Sequence, residues 1–185
     1  MTAFGIATFF VFLAEMGDKT QPVALAFATR YKASSVLGGV FAATLLVHLV
    51  SVGIGQAAGT VVSTYWIKIV SGFAFIAFGV WSIRGDDPGD GTPVREHRWG
   101  PLLTVGISFF IAELGDKTML ATITIASQQR EFLGVWLGST VGMVAADGIA
   151  IAVGKGMHKR LPEKLIRYIA AVIFIASGIF TIFHD

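Results

Sequence analysis

The sequence predicts an all-α, polytopic membrane protein with six transmembrane helices, arranged as two inverted three-helix repeats. Three observations support this fold class. The 185 residues are 54% hydrophobic and only 14% charged, whereas soluble domains are about a quarter charged. Apolar runs of about 18 residues or more recur along the chain, as expected of helices that cross a bilayer. One charged hexapeptide also occurs twice, once in each half.

The predicted spans are apolar stretches separated by short polar turns. A single long polar loop at residues 84–100, rich in Gly, Pro and Asp, divides them into a first repeat at residues 1–83 and a second at residues 101–185. No basic residue precedes the first span, so we expect a retained helix and not a cleaved signal peptide. The spans are predicted at about residues 3–29, 34–58, 66–83, 101–127, 132–154 and 165–183.

The first span is too long for an untilted helix, and it contains Gly17 and Pro22, which predict an interruption. Its Glu15 lies about 18 Å from the start of the span, near the expected midplane of the bilayer. The fifth span has small residues at every fourth position, which favour close packing of another helix within the same chain. These residues are Gly134, Gly138, Gly142 and Ala146.

The two halves align with each other. Glu15 matches Glu113 at an offset of 98 residues, and Phe75 in the third span matches Phe174 in the sixth. Each repeat has three spans, an odd number, so the second repeat would enter the membrane in the opposite orientation. The expected pseudo-two-fold axis lies in the membrane plane and would bring the two hexapeptides together.

The basic residues predict the orientation in the membrane. Of the 14 Lys and Arg, ten fall in or beside the first, third and fifth loops, and two fall on the opposite side. The positive-inside rule therefore places the central loop in the cytoplasm and both termini outside. Because the basic residues fall in the loops and the net charge is only +2, nucleic acid is not an expected partner.

The repeated hexapeptide reads EMGDKT at residues 15–20 and ELGDKT at residues 113–118. Each charged group in the middle of a bilayer costs about 3 kcal/mol on insertion scales, which favours a functional role. Within each copy the Glu and Asp are three residues apart in the predicted helix, so we expect them to share a face. The Gly between them permits local unwinding, which would free backbone carbonyls to act as ligands.

These residue types predict a cation site made only of oxygen ligands. Carboxylate, hydroxyl and amide oxygens suit Mn²⁺, Ca²⁺ or Mg²⁺ and argue against Cu⁺ or Zn²⁺, and the chain has no Cys. Met119 stands where the first copy has Gln21, so the two halves of the site differ. The candidate metal ligands are Glu15, Asp18, Glu113 and Asp116, with Thr20, Gln21 and Thr118 as further cation-binding residues.

The charges of the two copies suggest how protons take part in transport. Four carboxylates and two lysines leave two negative charges, which one divalent cation or two protons would neutralise. Because protons and the cation would compete for the same carboxylates, one alternately exposed site is sufficient for antiport. Lys19 and Lys117 are interpreted as counter-charges or part of the proton path. The simpler alternative is that each Glu–Lys pair is a salt bridge that joins two helices.

Two further polar residues lie inside predicted spans. His48 titrates near neutrality and is a candidate proton relay, although a hydrogen-bonded structural His explains it equally well. Asp147 aligns with Ser51 of the first repeat, and an acid within the membrane favours a role in the ion or proton path.

The doubled motif resembles the E-x-G-D-[KR]-[ST] signature of a cation–proton exchanger family long known as uncharacterised protein family sixteen. That family includes bacterial manganese exporters and Golgi calcium/manganese transporters. The resemblance covers nearly the whole chain. It implies a transporter in the cell or inner membrane, and not an enzyme, that exports Mn²⁺, or else Ca²⁺, from the cytoplasm in exchange for protons. It also implies that the four acids of the two motifs bind the cation.

No cofactor is expected, and the expected partners are divalent cations, protons and the lipid bilayer. The chain is predicted to work as a monomer or a homodimer. Two other functions stay open at this point. One is an intramembrane hydrolase with a carboxylate dyad, although the lysines would have no role in it. The other is a passive cation channel.

Overall fold

The computed structural model describes residues 2–18, 20–84, 100–157 and 163–183. Throughout these ranges the regular structure is helical, which confirms the all-α prediction. The bounds of the helices are α1 Ala3–Glu15, α2 Thr20–Arg30, α3 Ala33–Val61, α4 Thr64–Arg84, α5 Pro101–Glu113, α6 Lys117–Gln128, α7 Phe132–Met157 and α8 Glu163–Phe183.

Four of the described helices, α3, α4, α7 and α8, are long and apolar enough to cross a membrane. Their bounds agree with the second, third, fifth and sixth predicted spans to within three residues. The first and fourth predicted spans are instead each divided into two shorter helices. The number of spans therefore stays a prediction, as does the inverted repeat. The predicted linker loop falls almost wholly outside the described residues.

The order of helix lengths is the same in both halves. The helices α1 to α4 have 13, 11, 29 and 21 residues. The helices α5 to α8 have 13, 12, 26 and 21 residues. Each half thus contains two short helices separated by a break, followed by two long helices.

Small residues set the distances between packed helices. A Cβ atom on Gly142 of α7 would lie 2.5 Å from the Thr8 carbonyl oxygen of α1, and one on Gly39 of α3 would lie 2.8 Å from the Leu102 carbonyl oxygen of α5. Gly138 and Gly134 also lie against the backbone of α1, at Phe4. The prediction that the small residues of the fifth span pack within the chain is confirmed.

These contacts also give the relative directions of the helices. Gly138 contacts Phe4 and Gly142 contacts Thr8, so α7 and α1 run parallel. In the same way, Gly55 and Gly59 of α3 contact Ile123 and Ser127 of α6, so those two helices also run parallel.

The pair α4 and α8 runs antiparallel. Gly72 lies against the Gly178 carbonyl oxygen, while Gly79 lies against the Ala171 carbonyl oxygen, so residue numbers rise along one helix as they fall along the other. Between these contacts the rings of Phe75 and Phe174 lie 6.1 Å apart, and both pack against Phe10 of α1. This aromatic cluster joins the last helix of each half to the helix that leads to the first motif.

Candidate cation site

Both copies of the hexapeptide lie where one helix ends and another begins. The helix α1 ends at Glu15 and α2 begins at Thr20, while α5 ends at Glu113 and α6 begins at Lys117. Each Glu is therefore the last helical residue before a break, and the rest of each motif forms the break and the start of the next helix.

The glycine in each motif encodes the break. Gly17 has a φ of 79° and Gly115 a φ of 80°, in the left-handed region that residues with a side chain rarely adopt. The interruption therefore falls at the glycine, as expected. Pro22 lies inside the first turn of α2, where its missing N–H would have no partner in the helix anyway.

A threonine holds the two acids of the first motif together. The Thr20 hydroxyl donates to Glu15 Oε1 and lies 3.2 Å from Asp18 Oδ2. Only one proton is available, so the hydroxyl satisfies one carboxylate at a time. The expectation that Glu and Asp share one helix face is corrected here, because Glu15 ends α1 and Asp18 lies within the break.

The second motif repeats this arrangement. The Thr118 hydroxyl lies 2.9 Å from Glu113 Oε2 and 3.3 Å from Asp116 Oδ2. All three side chains are buried, and so are their counterparts in the first motif. The break, and not a helical repeat, is thus what gathers two carboxylates and one hydroxyl in each copy.

The two copies contact each other directly. Lys117 Nζ of the second motif lies 2.5 Å from Asp18 Oδ1 of the first, and both side chains are almost fully buried. The carboxylates of Glu15 and Glu113 are also close enough for their charges to repel each other. The ion pair given by the structure thus joins the two motifs, unlike the Glu–Lys pair within one motif considered from the sequence.

Gln21 and Met119 occupy equivalent places, but their atoms differ. Gln21 Oε1 accepts a hydrogen bond from the Gly17 N–H at 3.0 Å, and Met119 Sδ accepts one from the Gly115 N–H at 3.3 Å. The Gln21 amide also donates to the Ala146 carbonyl oxygen of α7 at 3.3 Å. An amide oxygen is a stronger acceptor than a thioether, so the first break is held more firmly than the second.

Several buried carboxylate oxygens have no hydrogen-bond donor among the described residues. They are Glu15 Oε2, Glu113 Oε1 and both oxygens of Asp147. A buried oxygen in this condition is costly unless a proton or a cation satisfies it. Within the described ranges, however, no three acidic or histidine side chains are placed so that they could hold one metal ion in this arrangement.

Comparison with known proteins identifies the family. A family profile described as "Divalent cation/proton antiporter GDT1" matches residues 3–90 and 101–185. The chain belongs to this family. The two matched stretches correspond to the two halves of the chain, and the resemblance inferred from the doubled motif is confirmed.

Similar proteins of the GDT1 type occur in bacteria and plants. A Vibrio cholerae protein named "Putative manganese exporter" is 34% identical over 99% of this chain and 92% of its own length. The "GDT1-like protein sll0615" of Synechocystis is 28% identical over 94% of this chain and 93% of its own. The "GDT1-like protein 5" of Arabidopsis thaliana is 26% identical over 91% of this chain and 90% of its own. No solved structure matches the chain.

Membership of the GDT1 family decides one question left open by the sequence. The family is one of cation/proton antiporters, so the chain is a transporter and not an enzyme. The intramembrane hydrolase alternative is therefore wrong.

The structure places Asp147 beside the motifs, whereas it shows no hydrogen bond between His48 and the described motif residues. Asp147 of α7 is fully buried, directly follows the residue that accepts the Gln21 hydrogen bond, and lies close enough to Asp18 for their charges to interact. His48 of α3 is also fully buried, and neither of its ring nitrogens has a hydrogen-bond partner in the described part of the chain. Lys19, the other predicted counter-charge, lies outside the described residues.

Arg167 contacts the first motif, and the sequence alone did not predict this contact. It was counted among the basic residues that set the orientation, but its Nε and Nη2 atoms lie 3.2 and 3.0 Å from the Gly17 carbonyl oxygen. One signal was present in the sequence. The repeat alignment that pairs Phe75 with Phe174 also pairs Arg167 with Lys68, so both repeats have a basic residue near the start of their third long apolar stretch.

Proposed function

We propose that this GDT1 protein exports Mn²⁺ from the cytoplasm in exchange for protons, with Ca²⁺ as the second candidate cargo. The two motifs together form one site, whose cation ligands come from Glu15, Asp18, Glu113 and Asp116. The observation that carries the proposal is the buried contact between Lys117 of the second motif and Asp18 of the first, because it joins the two motifs. The name of the Vibrio relative favours manganese.

The chemistry of the site supports a hard divalent cation. Its candidate ligands are carboxylate oxygens, the hydroxyls of Thr20 and Thr118, and the carbonyls of two broken helices, all of which Mn²⁺ and Ca²⁺ accept. As a cation binds, each hydroxyl can turn its proton away and offer a lone pair. Gln21 Oε1 accepts a hydrogen bond from the Gly17 N–H, so it can bind a cation only after it releases that N–H. We therefore place Gln21 at the outer edge of the site.

Charge balance supports exchange with protons. The motifs alone carry two negative charges, and the structure adds the acid Asp147 and the base Arg167, so the formal sum is unchanged. One divalent cation neutralises this charge, and two protons do the same. We assign the proton-carrying role to Glu15, Glu113 and Asp147, each of which has at least one buried oxygen without a donor among the described residues.

The directions of the helices support an inverted repeat of three spans each. The helices α1 and α7 run parallel, as do α3 and α6, while α4 and α8 run antiparallel. A chain that crosses the membrane six times, with each broken pair counted as one span, produces this pattern of directions. Both termini then lie outside and the central loop lies in the cytoplasm of the cell or inner membrane, as the Lys and Arg distribution requires.

Reconstitution into liposomes that contain a pH-sensitive dye tests this function. Adding Mn²⁺ or Ca²⁺ outside should drive protons out of the lumen, and Glu15→Gln or Asp116→Asn should abolish the signal. Glu131→Gln removes an exposed acid outside the motifs and serves as the matched control. Cation flux that a pH gradient does not affect would indicate a passive channel. Absence of flux with both ions would refute the transporter mechanism as proposed.

A further inference from the structure

Arg167 connects the start of α8 to the break in the first motif. Its guanidinium donates two hydrogen bonds, at 3.2 and 3.0 Å, to a single acceptor, the Gly17 carbonyl oxygen. The residues are 150 positions apart, so the contact depends on the tertiary fold and not on local sequence. Two donors on one oxygen hold the planar guanidinium in one orientation.

The Gly17 carbonyl is more than a convenient acceptor. It follows the last helical residue of α1, where carbonyls have no partner inside the helix and the helix dipole is negative. Carbonyls at such breaks are ligands for ions in other transporters with discontinuous helices. The neighbouring Glu15 and Asp18 carboxylates point to the same use here.

We propose that Arg167 is a gating residue of the first motif, whose guanidinium occupies the Gly17 carbonyl and must leave before the transported cation binds there. The assignment of a cation to this carbonyl rests on the proposed function. An arriving divalent cation repels the guanidinium and takes over the same negative groups, so binding and release are coupled. The start of α8 lies on the side with most of the basic residues, and the gate therefore controls access from the cytoplasm.

The two breaks differ in their exposure, as expected if a gate covers only one of them. Gly17 is buried beneath Arg167, whereas Gly115 is exposed, and Leu114 beside it is 51% exposed. Both glycines have the same backbone conformation, so this difference comes from what covers them and not from the break itself. In this arrangement the first break is covered and the second is uncovered, while the acids of both motifs are buried.

A movement of the pair α4 and α8 would uncover the first break and cover the second. A Cβ on Gly178 would lie 2.5 Å from the Gly72 carbonyl oxygen, so the helices pack too closely to slide independently and would move as one unit. The unit has Arg167 on one helix and Lys68 at the matching position of the other. As it moves, Arg167 leaves Gly17 and Lys68 approaches Gly115.

The simpler alternative is that Arg167 only caps the end of α1. A cap contributes stability but does not control access to the motif. The two roles therefore differ in one measurable quantity, the rate at which a water-soluble reagent reaches the first break from the cytoplasmic side.

Cysteine labelling measures this rate directly, because the natural chain has no Cys. A single Met16→Cys substitution places a thiol in the first break, at a position where the second motif has Leu114. Membranes with their cytoplasmic face outward are treated with a membrane-impermeant, positively charged methanethiosulfonate reagent. The labelling rate is then compared among variants at Arg167 and at the exposed Lys164, which has the same charge one turn away.

Arg167→Gln and Arg167→Met should each raise the labelling rate by about tenfold or more, the equilibrium shift expected when a charged hydrogen bond is lost. Arg167→Lys and Lys164→Gln should stay within about threefold of the parent, since the ammonium of the first keeps the charge and an N–H donor for the Gly17 carbonyl oxygen, and the second removes no contact with Gly17. If folded Arg167→Gln or Arg167→Met is labelled at the parental rate, the gating role of Arg167 is refuted. It is also refuted if Lys164→Gln raises the labelling rate as much as these variants do.

Transport kinetics give a second reading that capping alone would not change. With Arg167→Gln, the KM for Mn²⁺ on the cytoplasmic side should fall severalfold while the maximal rate also falls, and Arg167→Lys should restore both. Labelling needs no transport, so the two hypotheses fail separately. A raised labelling rate in a protein that transports no Mn²⁺ would support the gating role of Arg167 and refute Mn²⁺ as the transported ion.

Discussion

Replacing Lys117 with Met should destabilise the protein more than any exposed lysine substitution. The change removes the cation that lies 2.5 Å from Asp18 Oδ1, in a place where both side chains are almost fully buried. At an effective dielectric constant of about 20, the attraction over that distance is about 7 kcal/mol, most of which offsets desolvation of the two groups. Removing one partner of a buried ion pair costs about 3–5 kcal/mol.

For a chain of this size, that loss corresponds to a fall in Tm of about 6–20 °C. Thermal unfolding in detergent, followed by size-exclusion chromatography of the remaining folded protein, measures this shift. Lys164→Met is the control, because Lys164 is exposed and its removal should change the Tm by little.

A double-mutant cycle then isolates the pair. Asp18→Asn alone leaves Lys117 without this partner, so it should also be destabilising. The Lys117→Met, Asp18→Asn double variant leaves neither charge behind, and it should lose at least about 2 kcal/mol less than the sum of the single losses. Strictly additive losses would refute the conclusion that this contact couples the two motifs.

Three other outcomes are expected. Gly115→Ala should lower the free energy of unfolding by about 1–2 kcal/mol through its positive φ alone, because no atom lies within 4 Å of the added Cβ. Gly142→Ala should lower it by more, because its Cβ would collide with the Thr8 backbone. The Tm measures both losses. Thr118→Val should weaken Mn²⁺ transport in the liposome assay and Thr118→Ser should retain it, since only the serine keeps the hydroxyl that two carboxylates share. In the liposome assay, Mn²⁺ uptake should weaken as the external pH falls, because protons then occupy the carboxylates on the side from which Mn²⁺ binds. Asp147→Asn should flatten this dependence whereas Ser51→Ala should not, and equal pH profiles for parent and Asp147→Asn would contradict the assigned role.

The sequence was sufficient to predict most of the secondary structure and the positions of the two helix breaks. Long apolar runs identified α3, α4, α7 and α8, because a helix needs many consecutive apolar residues to satisfy the bilayer. The glycine of each motif identified the break, since only glycine adopts a positive φ without strain. Small residues at every fourth position identified the face of α7 on which another helix packs, and the structure shows that this helix is α1.

The arrangement inside the site could not be predicted in the same way. The rule that residues three apart share a face applies to a continuous helix, and it fails between Glu15 and Asp18, where the helix ends. Thr20 instead determines how these acids approach each other. The partners of Lys117 and Arg167 are residues of the other half, and no local pattern in the sequence specifies such contacts.

The unequal hydrogen bonds at the two breaks have a consequence for the rate of the transport cycle. Gly17 bonds to the amide of Gln21, and Gly115 bonds to the thioether of Met119, so the first break is the stiffer hinge. A difference in stiffness cannot set the direction of transport, which the ion gradients alone determine. It can only make one half of the cycle slower than the other. The step that reshapes the Gly17 break is therefore expected to limit turnover, and a methionine at position 21 would bring the two half-cycles closer in rate.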